Sequence, residues 1–109
     1  MDLFSSTAYI GMLNGAVHLN TTTTTPIYLG TSNMPGRKWL YIMDASDVKV
    51  FIGSAVALDG VAISRAQLAK YGIKLASGDA IWLPVSEKIT VYGISQSGAG
   101  KRLRVMELG

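Results

Sequence analysis

Apolar and polar residues alternate along most of this chain in short runs, and Gly, Asn, Asp or Ser interrupts each run. A period of two is typical of a β-strand with one buried face, because successive side chains point to opposite sides. In Lys101–Leu108, for example, Leu103 and Val105 are predicted to face inward while Arg102 and Arg104 face solvent. The pattern predicts an all-β domain of roughly seven or eight strands, an antiparallel β-sandwich or jelly-roll-like fold.

Composition limits the chain to one small domain. It has 109 residues, 49% of them hydrophobic, so we expect a thin core that hides roughly two thirds of the unfolded surface. There is no cysteine, which leaves no disulfide and no thiolate metal site. The N-terminal sequence lacks a basic segment followed by an apolar run, so we expect no signal peptide, no membrane contact and synthesis in the cytoplasm.

Neighbouring runs are predicted to pair as three β-hairpins. The Asn14-Gly15 pair is typical of a type I′ turn and joins the first two runs. The predicted pairs are Tyr9–Leu13 with Ala16–Leu19, Arg37–Asp44 with Val48–Ile52, and Lys88–Ser95 with Lys101–Leu108. Within a single β domain over residues 1–109, we therefore expect an N-terminal hairpin or arm over 1–36 and the main sandwich over 37–109.

One short helix is predicted over Arg65–Tyr71. Ser64 followed three residues later by Gln67 forms a capping box, and Gly72 supplies a C-terminal stop. After the helix, Pro84 cannot donate to a β-ladder. The strand that begins at Ala80 is therefore predicted to end there or to lie at a sheet edge.

No catalytic or metal-binding constellation stands out. His18 is the only histidine, and no nucleophile motif of the G-x-S-x-G type accompanies it. A single histidine and scattered carboxylates match neither zinc spacing nor a calcium loop. Asp44 and Asp47 are close in sequence, but Asp is a preferred turn residue. We expect a protein that is not an enzyme and has no metal and no cofactor.

Charge and aromatic content favour a protein partner. The net charge is +3, with the densest basic cluster at Lys101, Arg102 and Arg104, which is weaker than the basic stripe of nucleic-acid-binding domains. Strand aromatics such as Trp39 and Trp82 fit a core, a protein interface or a platform for sugars. The mean hydropathy of +0.30 favours the interface, because one thin core should not hide so much apolar surface.

The second part of the chain resembles small virion proteins of tailed bacteriophages over roughly residues 37–108. The resemblance rests on five segments, Arg37–Met43, Val50–Ser54, Gly72–Gly78, Val91–Ser95 and Arg102–Leu108. The segment Ala55–Tyr71 departs from it by being longer than expected.

The resemblance implies a non-enzymatic β-sandwich on the virion surface. Such a capsid decoration, or cement, protein would bind the outer surface of the major capsid protein and form a homo-oligomer, a dimer or a trimer, without nucleic acid. The candidate interface residues are Arg37, Lys38, Trp39, Tyr41, Trp82, Arg102 and Arg104. The alternative is a receptor- or carbohydrate-binding module of a tail fibre or spike, which would use exposed Trp39 or Trp82.

Overall fold

The computed structural model describes residues 12–54, 56 and 62–109, which contain eight β-strands and one helix. The strands are β1 (Met12–Leu19), β2 (Thr25–Pro26), β3 (Trp39–Asp44), β4 (Val50–Ser54), β5 (Ile73–Leu75), β6 (Ala80–Leu83), β7 (Val91–Ser95) and β8 (Lys101–Leu108). The helix α1 spans Arg65–Tyr71, between β4 and β5. Within the described ranges, no helix has the length and apolar character needed to cross a bilayer.

The strands form two antiparallel sheets of four strands that pack as a sandwich. Sheet A has the order β1-β8-β3-β6, and sheet B has the order β2-β7-β4-β5. The strands pair as in one long hairpin rolled up on itself, with β1 next to β8, β2 next to β7, β3 next to β6 and β4 next to β5. This pairing is that of an eight-stranded jelly roll, so the predicted fold class is confirmed.

The predicted hairpins are wrong, because in the second and third the two strands lie in opposite sheets, and in the first the described part of both runs belongs to the single strand β1. β3 belongs to sheet A and β4 to sheet B, and β7 and β8 are divided in the same way. Asn14 and Gly15 form no turn but lie inside β1, opposite Met106 and Val105. Residues 9–11 of that hairpin lie outside the described residues. Alternation indicates which face of a strand is buried, but it does not identify the partner strand.

The described residues before position 37 belong to the sandwich rather than to a separate arm. β1 pairs with β8 along its full length, from Met12 opposite Leu108 to Leu19 opposite Lys101. β2 pairs with β7, and Ile27 just after β2 is fully buried. A boundary at residue 36 would therefore cut through both sheets.

The core lies between the two sheets, where alternate residues of the strands meet. Leu103 and Val105 of β8 are buried as predicted, and so are Val50 and Ile52 of β4. Their neighbours in the core are Val17, Leu19, Ile27, Leu40, Ile42, Leu75 and Val91. Each strand of sheet A thus uses one face for the core and leaves its other face to the outside.

The helix α1 covers part of the outer face of sheet B. Its buried Leu68 lies so close to β4 that a side chain at Gly53 would come within 2.9 Å of Leu68 Cδ1. Ile94 of β7, which alternation places on this outer face, is also buried. The predicted helix and its capping box are confirmed, since Ser64 and Gln67 each accept a hydrogen bond from the backbone of the other.

Gly72 ends the helix as predicted, but for a different reason from the usual one. Its φ of −67° is open to any residue, so a left-handed conformation is not required. Its N–H donates to the carbonyl of Leu68, and a Cβ at this position would lie only 2.5 Å from that oxygen. Glycine is needed here because the backbone approaches its neighbours closely.

Candidate functional site

The outward side chains of sheet A form a continuous surface, which we call the open face. All of them are exposed or half-buried, in contrast to the outer face of sheet B, where α1 covers Ile94. The open face consists of Met12, Asn14, Ala16 and His18 from β1, Arg102, Arg104, Met106 and Leu108 from β8, Trp39, Tyr41 and Met43 from β3, and Ala80 and Trp82 from β6.

Three aromatic side chains cluster at one end of the open face. The register places Tyr41 opposite Trp82, with ring centroids 4.8 Å apart, and Trp39 meets Trp82 edge to face at 6.4 Å. Tilted and edge-to-face contacts of this kind are the favoured arrangements of aromatic pairs. Trp39 and Trp82 are nevertheless 45% and 51% exposed, so the cluster combines internal packing with a large accessible apolar surface.

Trp39 and Trp82 also line a shallow depression together with Leu108 and Gly109. The lining side chains offer two indole N–H donors and no hydrogen-bond acceptor. A sugar presents several hydroxyl groups that need both donors and acceptors. The depression therefore suits an apolar side chain of a protein better than a carbohydrate ring.

The opposite end of the open face is basic. Arg102 and Arg104 point outward, as predicted, and are exposed, and His18 lies directly opposite Arg102. Within the described part of the chain neither arginine forms an ion pair, and no outward residue of sheet A is acidic. The uncompensated guanidinium groups give this end a positive potential.

Methionines connect the aromatic and basic ends. Met106 lies between Asn14 and Tyr41 across the sheet, and Met43 lies opposite Arg104. Both line a shallow depression whose other walls include Tyr41 and the two arginines. Flexible thioether side chains adapt to the shape of whatever packs on them. Sequence reasoning missed Met43, Met106 and Leu108, although alternation in Arg102–Leu108 places every second residue on one face.

Two of the predicted interface residues do not belong to the open face. Arg37 is wrong as a surface contact, because its side chain is fully buried and paired with Glu107. Lys38 is exposed but precedes β3, outside the register that aligns the open face. The structure brings together the other predicted residues, Trp39, Tyr41, Trp82, Arg102 and Arg104.

Asp44 and Asp47 make the contacts of turn residues. Oδ1 of buried Asp44 accepts hydrogen bonds from the Ser46 N–H, at 2.9 Å, and from the Ser46 hydroxyl, at 2.5 Å. Oδ1 of Asp47 accepts from Lys101 Nζ at 2.8 Å, and this ammonium group lowers the pKa of Asp47. In the described ranges, no three His, Asp or Glu side chains lie close enough together to hold a metal ion.

No protein-family model, no curated protein and no solved structure matches this chain. The open face is therefore the feature from which a function has to be inferred.

Proposed function

We propose that this chain is a non-enzymatic virion structural protein that binds the outer surface of a major capsid protein through the open face, as a head decoration or cement protein. The observation that carries the proposal is the unequal covering of the two sheets. α1 packs on sheet B, whereas no element of the described residues covers the face of sheet A that carries two half-exposed tryptophans. Exposed apolar surface of this kind marks an interaction site.

The residue types of the open face support a protein as the partner. Protein interfaces are enriched in Trp, Tyr, Met and Arg and depleted in Lys, Glu and Asp. The open face contains Trp39, Trp82, Tyr41, three methionines and two arginines, and it has no outward Lys, Glu or Asp. Rigid aromatic side chains that become buried on binding are the usual source of binding energy, and here they lie at one end of the open face.

The shape of the open face supports a broad, flat partner. The depressions lined by Tyr41 and by Trp82 are shallow and open, whereas a small-molecule site encloses most of its ligand. A shell of identical subunits presents the same flat surface many times. Many modest contacts on one particle can then add up to substantial stabilisation of that particle.

Co-sedimentation with capsids that lack this protein tests the proposal. We expect saturable binding with a stoichiometry set by capsid symmetry. Trp82→Ala and Arg104→Ala should each weaken it by roughly tenfold or more, as anchor residues do. The matched controls are Tyr71→Ala on α1 and Lys74→Ala on β5, which are exposed but lie away from the open face. These controls should bind like the unmodified protein.

Two results would overturn the proposal. The first is the absence of binding by the unmodified protein, and the second is equal weakening by the open-face variants and the controls. A receptor- or carbohydrate-binding module would replace it if the protein instead bound glycans and lost them on Trp82→Ala. The exposed indole of Trp82 is the observation that keeps this second candidate in the test.

A further inference from the structure

The strand β6 forms one edge of sheet A, and only its side facing β3 is paired in the described structure. Two backbone hydrogen bonds show which residues of β3 bond to β6 and which bond to β8. The N–H of Ala45 donates to the carbonyl of Arg102, and the N–H of Asp44 donates to the carbonyl of Asp79. Along an antiparallel strand, successive residues direct their N–H and C=O groups to opposite sides. Even-numbered residues of β3 therefore bond toward β6 and odd-numbered ones toward β8.

The same alternation identifies the free groups of β6. Ile81 and Leu83 lie opposite even-numbered residues of β3, so their backbone groups bond to that strand. Ala80 and Trp82 direct their N–H and C=O groups away from the sheet, and both residues are exposed. Pro84 is the next residue whose backbone groups would point away from the sheet. It has no N–H, as is common at a strand edge.

No charge protects this edge against pairing. Native edges are commonly blunted by short strands, proline, lysine, inward charges or bulges, and β6 has the first two, with four residues and Pro84 after them. The segment 80–85 contains no charged residue, whereas β5, one of the two edge strands of sheet B, carries exposed Lys74. Trp82 is half-exposed on the outer side, and Ile81 and Leu83 are only partly buried against the core on the inner side. Apolar side chains thus flank the free backbone groups on both faces of the sheet.

We propose that β6 pairs in antiparallel fashion with β6 of a second copy of this chain, so that two copies of sheet A form one continuous sheet. The two-fold axis would be perpendicular to the sheet. Such a contact is isologous, which means that both copies use the same patch. The free backbone groups and apolar side chains of one β6 meet those of the other. A second copy fits because the edge is uncharged and complementary to itself.

The period of two restricts the register of this pairing. Residues directly opposite each other must lie on the same face, and Ala80 and Trp82 carry the free N–H groups. The axis therefore passes midway between the two copies of Ile81 or midway between the two copies of Trp82. In the first register Ala80 faces Trp82 of the second copy, and in the second register the two Trp82 residues face each other. Either arrangement forms about four inter-chain hydrogen bonds from groups that are free in the monomer.

The dimer would place both open faces on the same side of the joined sheet. Two faces could then bind neighbouring capsid subunits together, which raises the overall affinity without any new contact. The inference goes beyond the proposed function, and the purified protein alone suffices to test it. Its failure would leave capsid binding by a monomer intact.

Sedimentation equilibrium over a range of concentrations measures the association. We expect the mean mass to rise from that of the 11.6 kDa monomer toward twice this value. Ala80→Pro removes a free N–H and should weaken the dimer by roughly tenfold or more, whereas Ala80→Thr keeps the N–H and should dimerise normally. A circular dichroism spectrum unchanged by either substitution shows that the monomer is folded.

Thiol cross-linking identifies the register, because the chain has no cysteine of its own. Opposite residues of a bonded pair have Cα atoms about 5.5 Å apart, within the range that a disulfide spans. Oxidation of Trp82→Cys should link two chains in the register centred on Trp82. The double variant Ala80→Cys/Trp82→Cys should link them in the register centred on Ile81.

A linked dimer in either register supports the proposal. It is overturned if the protein stays monomeric at every concentration or if neither variant cross-links. It is also overturned if Ala80→Pro leaves the dimer intact while Trp39→Ala dissolves it. That last result would place the contact on the open face instead of the edge.

Discussion

Arg37 Nη1 lies 2.9 Å from Glu107 Oε2, and both side chains are completely buried. Every N–H of the guanidinium group is used, since Arg37 also donates to Asn33 Oδ1 and to the carbonyls of Val85, Ser86 and Ile89. Glu107 in turn accepts from the backbone N–H groups of Leu29 and Met34. The ion pair therefore ties β8 to two loops, 27–36 and 84–90, that have few strand hydrogen bonds of their own.

Removing the charge of Glu107 should destabilise the fold strongly. Glu107→Gln keeps the size of the side chain but leaves the guanidinium group of Arg37 buried without its counter-charge. Breaking a buried pair in this way costs about 3–5 kcal/mol. Urea unfolding measures the loss. Asp47→Asn, which breaks the exposed pair of Asp47 with Lys101, is the control and should lower the unfolding midpoint far less. A similar loss in both variants would contradict the structural role of the buried pair.

The role of Arg37 could not be read from the sequence. Its partner lies 70 positions away, and its neighbour Lys38 is an ordinary exposed residue, so Arg37-Lys38 looks like the charged start of a surface strand. Burial of an arginine depends on acceptors brought together by the tertiary fold. Here three of those acceptors are backbone carbonyls of the segment 85–89, which no sequence pattern indicates.

Local patterns, by contrast, predicted local features correctly. The alternation of β8 placed Leu103 inside and Arg104 outside, and the Ser64 capping box located α1. The same patterns failed for strand pairing, because a jelly roll pairs strands that are distant in sequence. The open face was predicted in part. Its aromatic and arginine residues were identified singly, but only the register of two strand pairs, β3 with β6 and β3 with β8, brings them onto one surface.

The capping box at Ser64 should make a measurable contribution to stability. Ser64→Ala removes the acceptor for the Gln67 N–H at the start of a helix of only seven residues. The expected cost is about 1 kcal/mol, within the usual range for an N-cap. Chemical denaturation measures it. Ser64→Asp keeps an acceptor and should restore most of the stability, so equal losses in both variants would contradict a capping role.

Alanine at Gly72 and at Gly78 should destabilise the protein by different mechanisms. At Gly72 the new Cβ would lie 2.5 Å from the Leu68 oxygen and 2.9 Å from the Ile52 oxygen, both backbone atoms. We expect about 3 kcal/mol, at the upper end of the usual cost of overpacking. At Gly78 there is open space but a φ of +87°, so only backbone strain of about 1–2 kcal/mol applies. Urea unfolding of both variants tests the order, and a larger loss at Gly78 would contradict it.

The contact with Lys101 should be visible in the titration of Asp47. The hydrogen bond from the ammonium group favours the ionised carboxylate, so the pKa of Asp47 lies below the ordinary value of 3.8. A lowered folded-state pKa stabilises the fold above the unfolded value, and this contribution is lost as the pH falls through the folded pKa. NMR titration of the Asp47 carboxyl carbon measures the shift. Lys101→Met should return the pKa toward 3.8, and an unchanged pKa in this variant would contradict the assignment.

The two ends of the open face should contribute differently to capsid binding. Arg102 and Arg104 are exposed charges, so their attraction to an acidic partner surface is screened by salt and acts mainly on the association rate. The Trp39 and Trp82 end acts through apolar burial, which salt does not screen. The double variant Arg102→Gln/Arg104→Gln should therefore bind more slowly and lose most of the salt dependence. Trp82→Ala should dissociate faster and keep the salt dependence of the unmodified protein.

Binding kinetics on immobilised capsids at several salt concentrations separate these effects. Lys74→Gln on β5 is the control for a simple change in net charge, because it removes an exposed cation away from the open face. If Lys74→Gln reduced the salt dependence by half as much as the double arginine variant, which removes two charges, the overall charge of +3 would be responsible. If the double variant Arg102→Gln/Arg104→Gln left the salt dependence unchanged, the basic end would lie outside the contact. The attachment would then rest on the aromatic end of the open face alone.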